Sequence, residues 1–280
     1  MTEFDWLEGF GFVACDLHIH SKYSFDGTAD MDTICCAAID RGVDVIAITD
    51  HCDMTDGLEG ISSYLKGENK RQKDFKRVCS QYEGIQVLCG IELGNPHEAP
   101  CRTHDFMALR TFDFVIGAVH FLPDGSDIYK LSYPDAQSVD TMFRQYFASM
   151  RRLMELGGFD SLAHLDYPLR VLQGKVSEPT IRQYCDLVEP ILELLVAKEI
   201  ALEINTRGIY DWQRRVGPEE WVLRRYRALG GKYVTIGSDA HVPKWLGAGF
   251  AEAGLLLKQA GFDDYTIYEN RIPRQIPILI

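Results

Sequence analysis

Side chains able to bind metal ions recur in this chain, each just after a short apolar run. The runs VACDLHIH and VDVIAITDH end in His18, His20 and His51. Later runs end in the same residue types, namely Glu92, His120, His164, Asp239 and His241. Imidazole and carboxylate groups are ligands for Zn²⁺, Fe²⁺ and Mn²⁺, and the residue types do not choose among these ions. The pattern predicts a metal-dependent enzyme.

The runs that carry these residues have the character of strands, because they are short, β-branched and bounded by Gly, Asp or Pro. They lie near residues 13–19, 43–49, 86–92, 113–119, 159–164, 199–204 and 232–237. Helical patterns stand between most of them, at 28–42, 136–158, 177–199 and 217–231. This alternation predicts an α/β fold with a parallel sheet, and ligand-type residues at the strand ends predict a (β/α) barrel with its active site there.

Local signals set the expected ends of helices and loops. Thr28 is the expected N-cap of the first helix, and Pro190 is expected to kink or break the third. The segments 53–73 and 94–103 are polar and follow strand ends. Both are therefore expected to be irregular and to shape the pocket.

The pair His18 and His20 has the spacing of alternate residues on a strand, so both imidazoles should point to the same side. Asp16 shares that side, where it could accept a proton from a ligand histidine and fix its tautomer. Asp239 and His241 repeat the spacing. A single histidine at a strand end is more often structural, but several such strands would bury many polar atoms at high cost unless metal ions satisfied them.

Length and composition suit one barrel domain over residues 1–280, with 46% hydrophobic residues to form a core. The net charge of −12 argues against long nucleic acid as a partner, but not against a small phosphorylated substrate at a metal centre. No apolar segment is long enough to span a membrane. The eight cysteines form no C-x-x-C pair, which suggests reduced thiols and a cytoplasmic protein. No pattern indicates an oligomeric state.

Six motifs resemble, in order and spacing, the signature of the PHP (polymerase and histidinol phosphatase) superfamily. They are DLHIHSKYSFDG, AITDHCD, GIELG, GAVHF, LAHLD and GSDAHVP. The resemblance implies a distorted seven-stranded (β/α) barrel that holds a trinuclear metal centre.

Carried over residue by residue, the resemblance implies three sites for divalent ions. The ligands of the first would be His18, His20, Glu92 and Asp239. Those of the second would be Glu92, His120 and His164, so Glu92 would bridge two ions. Those of the third would be Asp26, His51 and His241.

Asp26 stands in a loop and not at a strand end, so Asp30 and Asp53 are alternatives to it. Three divalent ions and three carboxylates would leave the centre near about +3, which attracts a phosphate dianion even on an acidic protein. Clustered metals generate a hydroxide nucleophile and clamp a phosphoryl group. The leading expectation is hydrolysis of a phosphate ester, with Glu92 and Asp239 as catalytic residues.

The sixth run ends in LEINTRG and places Asn205 and Arg207 at the same mouth. A guanidinium fork matches phosphate oxygens, so Arg207 is a candidate catalytic and substrate-binding residue, with a surface salt bridge as the alternative. Further basic candidates for the phosphate are Lys22, Arg102 and Arg170. LEINTRG resembles the LEINTSG segment of the histidinol-phosphate phosphatase branch, in which Ser stands at the position of Arg207.

That branch implies a phosphomonoesterase acting on L-histidinol phosphate in histidine biosynthesis. A nucleotide or a short oligonucleotide is the alternative substrate. A metal-free barrel serving as a binding module is a third hypothesis, which metal analysis of the purified protein separates from the other two.

Overall fold

The computed structural model describes residues 14–55, 60–132, 135–172, 181–212 and 214–279. Its strands are β1 (Cys15–Ile19), β2 (Val45–Ile48), β3 (His51–Asp53), β4 (Gln86–Gly94), β5 (Phe114–Ala118), β6 (Ser161–Leu162), β7 (Ala201–Asn205), β8 (Val234–Gly237), β9 (Asp264–Glu269) and β10 (Ile272–Pro277). Its α-helices are α1 (Met31–Asp40), α2 (Ile61–Gln81), α3 (Pro100–Ala108), α4 (Ala136–Leu156), α5 (Cys185–Lys198), α6 (Arg207–Tyr210), α7 (Glu220–Ala228) and α8 (Phe250–Ala260). Within the described residues, no helix combines the length and the apolar character needed to cross a membrane.

Seven strands form a parallel, nearly closed barrel in the order β1-β2-β4-β5-β6-β7-β8. The gap between β8 and β1 is bridged where Ile19 pairs with Ala240 and the His20 amide donates to the Ala240 carbonyl at 3.0 Å. The short β3 lies beside the end of β4, with His51 opposite Glu92. The predicted distorted (β/α) barrel is confirmed, and each of its seven predicted strands is present.

Burial explains why the apolar runs form the barrel. Every residue of β1, β2, β5, β7 and β8 is buried. The amphipathic α4 covers the barrel with Phe143, Tyr146 and Phe147, while Ile34 and Ala38 of α1 pack in a smaller cluster with residues of β1 and β2. Each large apolar side chain buried in this way contributes roughly 1.5–3 kcal/mol to the free energy of folding.

Asp30, and not Thr28, caps α1. The Asp30 carboxylate accepts a hydrogen bond from the Thr33 amide at 3.0 Å. The Thr28 hydroxyl instead donates to the carbonyl of His241 at 3.2 Å. Both residue types are good caps, so the prediction was wrong because a tertiary contact holds Thr28 outside the helix.

The segment 53–73 was predicted to be irregular, and this was wrong over most of its length because α2 begins at Ile61. Its polar composition hid a helix whose buried residues are only Tyr64, Arg71 and Val78. The segment 94–103 folds into a 3₁₀ turn, Pro96–Glu98, and the start of α3. A helix on the surface of a barrel needs only a narrow buried stripe, which a search for apolar runs overlooks.

The predicted third and fourth helices are shorter than expected. The third begins at Cys185, after a 3₁₀ turn at Ile181–Tyr184, and runs through Pro190 to Lys198 without a break. The expected start at Ser177 lies outside the described residues. The fourth, α7, begins at Glu220, so Pro218 lies before it.

A C-terminal hairpin of β9 and β10, which was not predicted, is tied to the barrel by an ion pair. Arg271 in its turn donates from Nε and Nη2 to the Asp160 carboxylate at 3.0 and 2.9 Å. Asp160 also accepts from the Val115 amide at 2.8 Å. One buried carboxylate therefore joins β5, the start of β6 and the hairpin.

We expect Asp160→Ala to lower the free energy of unfolding by roughly 1–3 kcal/mol, because the Val115 amide and Arg271 lose their acceptor. Chemical denaturation measures this loss. The control is Glu155→Ala, which removes an exposed pair with Arg151 on α4 and should have a smaller effect. Equal losses in the two variants would contradict the role of Asp160 as a tie.

Candidate metal centre

The fully buried Glu92 carboxylate lies at the centre of the barrel mouth. Five imidazoles place a ring nitrogen within 4.0 Å of its oxygens, those of His18, His20, His51, His120 and His164. His18 and His20 lie at the end of β1, His51 follows β2 and opens β3, and His120 and His164 follow β5 and β6. These strands therefore converge on one carboxylate.

The two oxygens of Glu92 face different imidazoles. Oε2 lies 2.7 Å from Nδ1 of His51, 3.4 Å from Nε2 of His18 and 3.6 Å from Nε2 of His20. Oε1 lies 3.0–3.2 Å from the Nε2 atoms of the other two imidazoles. A carboxylate in this arrangement can bind one ion with each oxygen.

Asp239 closes one side of the group around Oε2. Its Oδ1 lies 3.3 Å from Nε2 of His20 and 3.9 Å from Nε2 of His18. The two imidazoles of β1 therefore face the same side, as their spacing predicted. The structure brings together the four residues assigned to the first ion.

Asp26 completes a further group with His51 and His241. Its Oδ2 lies 2.9 Å from Nε2 of His241, and its Oδ1 lies 3.7 Å from Nε2 of His51. Of the two alternatives to Asp26, Asp30 caps α1, and Asp53 has its Oδ1 2.9 Å from Nδ1 of a different imidazole. The geometry therefore favours Asp26 for this position.

The backbone is strained at two of these residues. His164 and Asp239 have φ angles of +22° and +51°, in a region that residues other than Gly rarely adopt. Such conformations cost of order 1–3 kcal/mol each and persist where the surroundings enforce them. The His164 amide, for example, donates to Glu203 at 2.7 Å.

Glu203 on β7 is a buried carboxylate beside these imidazoles that the sequence reasoning missed. Its Oε1 lies 2.5 Å from Nδ1 of His18, and its Oε2 accepts from the His164 amide and from Nδ2 of Asn205 at 3.1 Å. A carboxylate in this place fixes the tautomer and orientation of the imidazole. The alternation in LEIN, which puts Glu203 and Asn205 on one side of the strand, is the signal that could have found it.

Asp16 was predicted to fix the tautomer of a ligand histidine, but it has a structural role instead. Its carboxylate accepts from the amides of Ser238 and Gly247, both at 2.9 Å, and from the Ser238 hydroxyl. It thereby links β1 to the segment after β8. The prediction was wrong because these amides reach Asp16 from a part of the chain that is distant in sequence.

The electrostatics favour ionised carboxylates beside a neutral imidazole. Burial would raise the pKa of Glu92, but the surrounding imidazoles, His51 foremost, hold that pKa well below its usual value. Burial opposes ionisation of Asp239 too, but Arg207 and neighbouring imidazoles keep the pKa of Asp239 well below its usual range. Burial and adjacent imidazoles lower the pKa of His20 well below its usual value, which leaves the neutral form that binds metals.

Several buried ligand atoms have no hydrogen-bond partner among the described residues. They are Nε2 of His18, Nε2 of His20, Nδ1 of His51 and Oε2 of Glu92. Nδ1 of His51 and Oε2 of Glu92 are 2.7 Å apart but lack hydrogen-bond geometry. Buried polar atoms left in this way are costly, and atoms that face a common point are suited to a shared cation.

Three groups of residues place their ligand atoms within 4.8 Å of one another. They are His20, His51 and His241; His18, His20 and Glu92; and His51, Glu92 and His120. Nitrogen and carboxylate oxygen donors of this kind suit Zn²⁺, Fe²⁺ and Mn²⁺. The residues present therefore fit divalent metal ions.

A cavity of about 290 Å³ opens onto the centre, and two arginines line it. Arg207 is 12% exposed, and its Nη1 lies 3.1 Å from Oδ1 of Asp239 while its Nε reaches Asp211 at 3.3 Å. It is therefore not the surface salt bridge considered as an alternative. Arg170 lies 4.3 Å from the centre of the Tyr129 ring, which lines the same cavity.

The other predicted substrate residues do not line this cavity. Asn205 donates to Glu203, and Nζ of Lys22 lies 3.9 Å from Oδ2 of Asp30. Arg102 donates to the carbonyl of Met54 at 3.3 Å. The cavity wall instead includes side chains that were not predicted, namely Phe25, Asp127, Tyr129, Lys130 and Tyr167.

Comparison with known proteins identifies the family. Residues 16–207 match the model of the PHP domain. The chain is 32% identical over 251 residues to a probable histidinol-phosphatase of Thermotoga maritima, covering 89% of this chain and 93% of that protein. It is 30% identical over 246 residues to a probable histidinol-phosphatase of Clostridium acetobutylicum. In that match, 85% of this chain and 90% of the relative are covered.

Solved structures agree with this match. The histidinol phosphate phosphatase of Lactococcus lactis, in complex with zinc, L-histidinol and phosphate, superposes with a TM-score of 0.74 at 25% identity. That match covers 93% of this chain and 98% of the other. A Listeria monocytogenes protein with a TM-score of 0.70 and 19% identity, matched over 85% of this chain and 98% of its own, shares the fold. The fold and clustered ligands are those of a metal-dependent phosphatase. The chain belongs to the PHP domain family.

We expect Gly237→Ala to destabilise the protein by roughly 1–3 kcal/mol, because a Cβ there would lie 2.4 Å from Cβ of His18 and 2.9 Å from Oε1 of Glu203. Denaturant unfolding measures the effect. The control is Gly67→Ala in α2, where the Cβ would make an ordinary 3.6 Å contact with Tyr23 and should stabilise the helix by about 0.5–1 kcal/mol. A Gly237→Ala variant as stable as the wild type would contradict this close packing of β8 on β1.

Proposed function

We propose that this chain hydrolyses L-histidinol phosphate to L-histidinol and phosphate, as a step in histidine biosynthesis. The observation that carries the proposal is a single buried carboxylate, Glu92, that faces five imidazoles. Three of these imidazoles, those of His51, His120 and His164, line a cavity together with two arginines. The names of the curated relatives and the ligands of the Lactococcus lactis structure support it.

We further propose three divalent ions at the centre. The first would be held by His18, His20, Glu92 and Asp239. The second would be held by Glu92, His120 and His164. The third would be held by Asp26, His51 and His241. Ions bound there would supply Lewis acidity toward phosphoryl oxygens and would lower the pKa of a water molecule. Zn²⁺, Fe²⁺ and Mn²⁺ all suit these ligands, and zinc is the ion in the Lactococcus lactis protein.

The arginines of the chain would hold the phosphoryl group against the centre. Burial would lower the pKa of Arg207, but Asp239 and other anionic neighbours raise it, so its guanidinium keeps its charge. Nη1 of Arg207 donates to Asp239, which places the guanidinium beside the centre. From there Arg207 would act as a catalytic residue by donating to a non-bridging oxygen of the phosphoryl group. Nε of Arg170 is buried without a hydrogen-bond partner among the described residues, so Arg170 can contribute a second donor.

The remaining wall suits an amino alcohol with an aromatic ring. Tyr129, Tyr167 and Phe25 offer aromatic faces, and Asp127 offers a carboxylate that can attract an ammonium group. A volume of about 290 Å³ is near the lower end for ligand cavities, which favours a small phosphomonoester over an oligonucleotide.

Two further predictions accompany this proposal. Residues 1–280 should form one domain. The protein should be cytoplasmic, where its eight free cysteines would stay reduced.

We expect Glu92→Gln to lose metal at two sites and nearly all turnover, because a neutral amide cannot bridge two cations. Glu203→Gln should keep the ligands but lower metal affinity by about 10–100-fold, because His18 loses the carboxylate that orients it. Metal content after dialysis against a graded chelator series measures both changes.

The matched control for these glutamates is Glu220→Gln on α7, a Glu→Gln change at an exposed pair with Arg224. It should keep its metal content and activity. A Glu92→Gln variant with full metal content and full turnover would refute the bridging assignment.

We expect Arg207→Ala and Arg170→Ala each to lower kcat/KM for L-histidinol phosphate by roughly one to two orders of magnitude, because each removes a charged contact to phosphate. Metal content should be retained. Steady-state kinetics on L-histidinol phosphate, with a nucleoside monophosphate and a phosphodiester in parallel, measures the effect.

Arg224→Ala, at the exposed pair on α7, is the control and should behave as the wild type. If the wild type is inactive on L-histidinol phosphate but active on the nucleotide, the alternative substrate replaces the proposed one. If both cavity variants have unchanged kinetics, the phosphate is held by other groups.

A further inference from the structure

A second cavity, of about 460 Å³, lies outside the barrel between α2 and strands β2 and β4. Its wall includes Arg71 and Phe75 of α2, Ile48 of β2, Cys89 of β4 and Leu109 after α3. Among the described residues, none lines both this cavity and the one at the metal centre. It is therefore a separate space, within the size range of small-molecule sites.

Arg71 is an unusual residue for such a wall. It is 8% exposed, and no acceptor or carboxylate among the described residues forms a hydrogen bond or ion pair with it. Its guanidinium lies 3.7 Å from the centre of the Tyr64 ring, which covers one face but accepts none of its in-plane hydrogens. Burial lowers the pKa of Arg71, and Asp50 opposes this. The nitrogens of Arg71 are not among the buried atoms that lack a partner, so the guanidinium faces the open cavity, where an acceptor can reach it.

The carboxylates that line the same cavity are already bonded to other groups. Glu68 accepts from Nε and Nη2 of Arg110. Asp50 accepts from the amide and hydroxyl of Ser21 at 2.7 and 2.9 Å, among other bonds. Asp113 accepts from two backbone amides, at 2.8 and 3.2 Å. Because these acids are held elsewhere, none of the three carboxylates occupies the hydrogen-bonding edge of Arg71, and that edge can take an acceptor that enters the cavity.

The charges on the wall limit what that acceptor can be. The three acids are matched by three basic residues, Arg71, Arg110 and the rim residue Lys76, so the wall has no excess positive charge. A singly charged anion would therefore add half the unbalanced negative charge that a dianion would add. A guanidinium fork binds a carboxylate through two parallel hydrogen bonds. Phe75, Phe112 and Leu109 supply an apolar wall beside it. We propose that this cavity binds a small organic monocarboxylate with an apolar body, whose carboxylate is held by Arg71.

The test is titration calorimetry of the metal-loaded enzyme in saturating inorganic phosphate, with phenylacetate as the probe. The phosphate occupies the metal centre, so binding of phenylacetate reports a different site. We expect measurable binding to the wild type and at least about ten-fold weaker binding to Arg71→Met, which keeps the length but removes the fork. Phenylacetamide, an uncharged analogue of similar shape, should bind to the wild type as weakly as phenylacetate binds to Arg71→Met.

The matched control is Lys70→Met, which removes one positive charge from an exposed position of α2 that does not line the cavity, and it should bind as the wild type does. The proposal is overturned if the wild type does not bind phenylacetate in phosphate, or if phenylacetamide or Arg71→Met binds equally well. If Arg71→Met does not fold, Arg71→Lys is tested in its place. Arg71→Lys should bind phenylacetate several-fold more weakly than the wild type, because an ammonium group lacks the guanidinium fork. Wild-type affinity in Arg71→Lys would overturn the proposal.

Discussion

The placement of one buried carboxylate constrains the rest of this structure. Glu92 has no access to solvent, and its charge is stabilised by imidazoles from other strand ends. A carboxylate in that position would be unstable without cationic partners, since burial alone favours its neutral form. Parallel strands of a barrel bring their carboxyl ends to one mouth, so residues far apart in sequence can supply those partners. The register that sets His51 opposite Glu92 on β3 and β4 is part of the same constraint.

A surrounding layer of hydrogen bonds holds the imidazoles in position. Glu203 bonds the ring of His18, and Asp53 bonds the ring of His120 at 2.9 Å. Asn95 accepts from the His120 amide at 2.8 Å. The contacts of Glu203 and Asp53 fix rings that the barrel alone would leave free to rotate, and Asn95 holds the backbone of His120. Such contacts raise metal affinity by orienting the ligands before the metal binds. The strained backbone at His164 is retained for the same reason, because its amide is bonded to Glu203.

The sequence predicted the barrel and the residues at its mouth, because both follow from local patterns. Apolar runs show the strands, and each predicted ligand except Asp26 stands at the end of one. The supporting contacts could not be predicted in this way, since Glu203 reaches His18 across 185 positions of sequence. Asp16, which is close to His18 in sequence, was predicted to orient this imidazole, and that prediction was wrong because the carboxylate that does so comes from a distant strand. The polar helix α2 was missed because its buried stripe is narrow. The burial of Arg71, which lies in that stripe, was missed for the same reason.

Asp50 connects the wall of the outer cavity to the residues of the metal centre. It lines the outer cavity, and its carboxylate accepts from Ser21 and, at 3.1 Å, from the hydroxyl of Ser24. The Ser24 hydroxyl also lies 3.1 Å from Nδ1 of His20 and accepts from the His51 amide at 3.0 Å. Because Asp50 is fixed by this network, it cannot turn toward Arg71 without releasing Ser21 and Ser24, whose hydroxyl contacts His20 and the His51 amide. The bonds that hold Ser21 and Ser24 therefore leave Arg71 near Asp50 but without a hydrogen-bonded carboxylate, so one rigid wall accounts for both features.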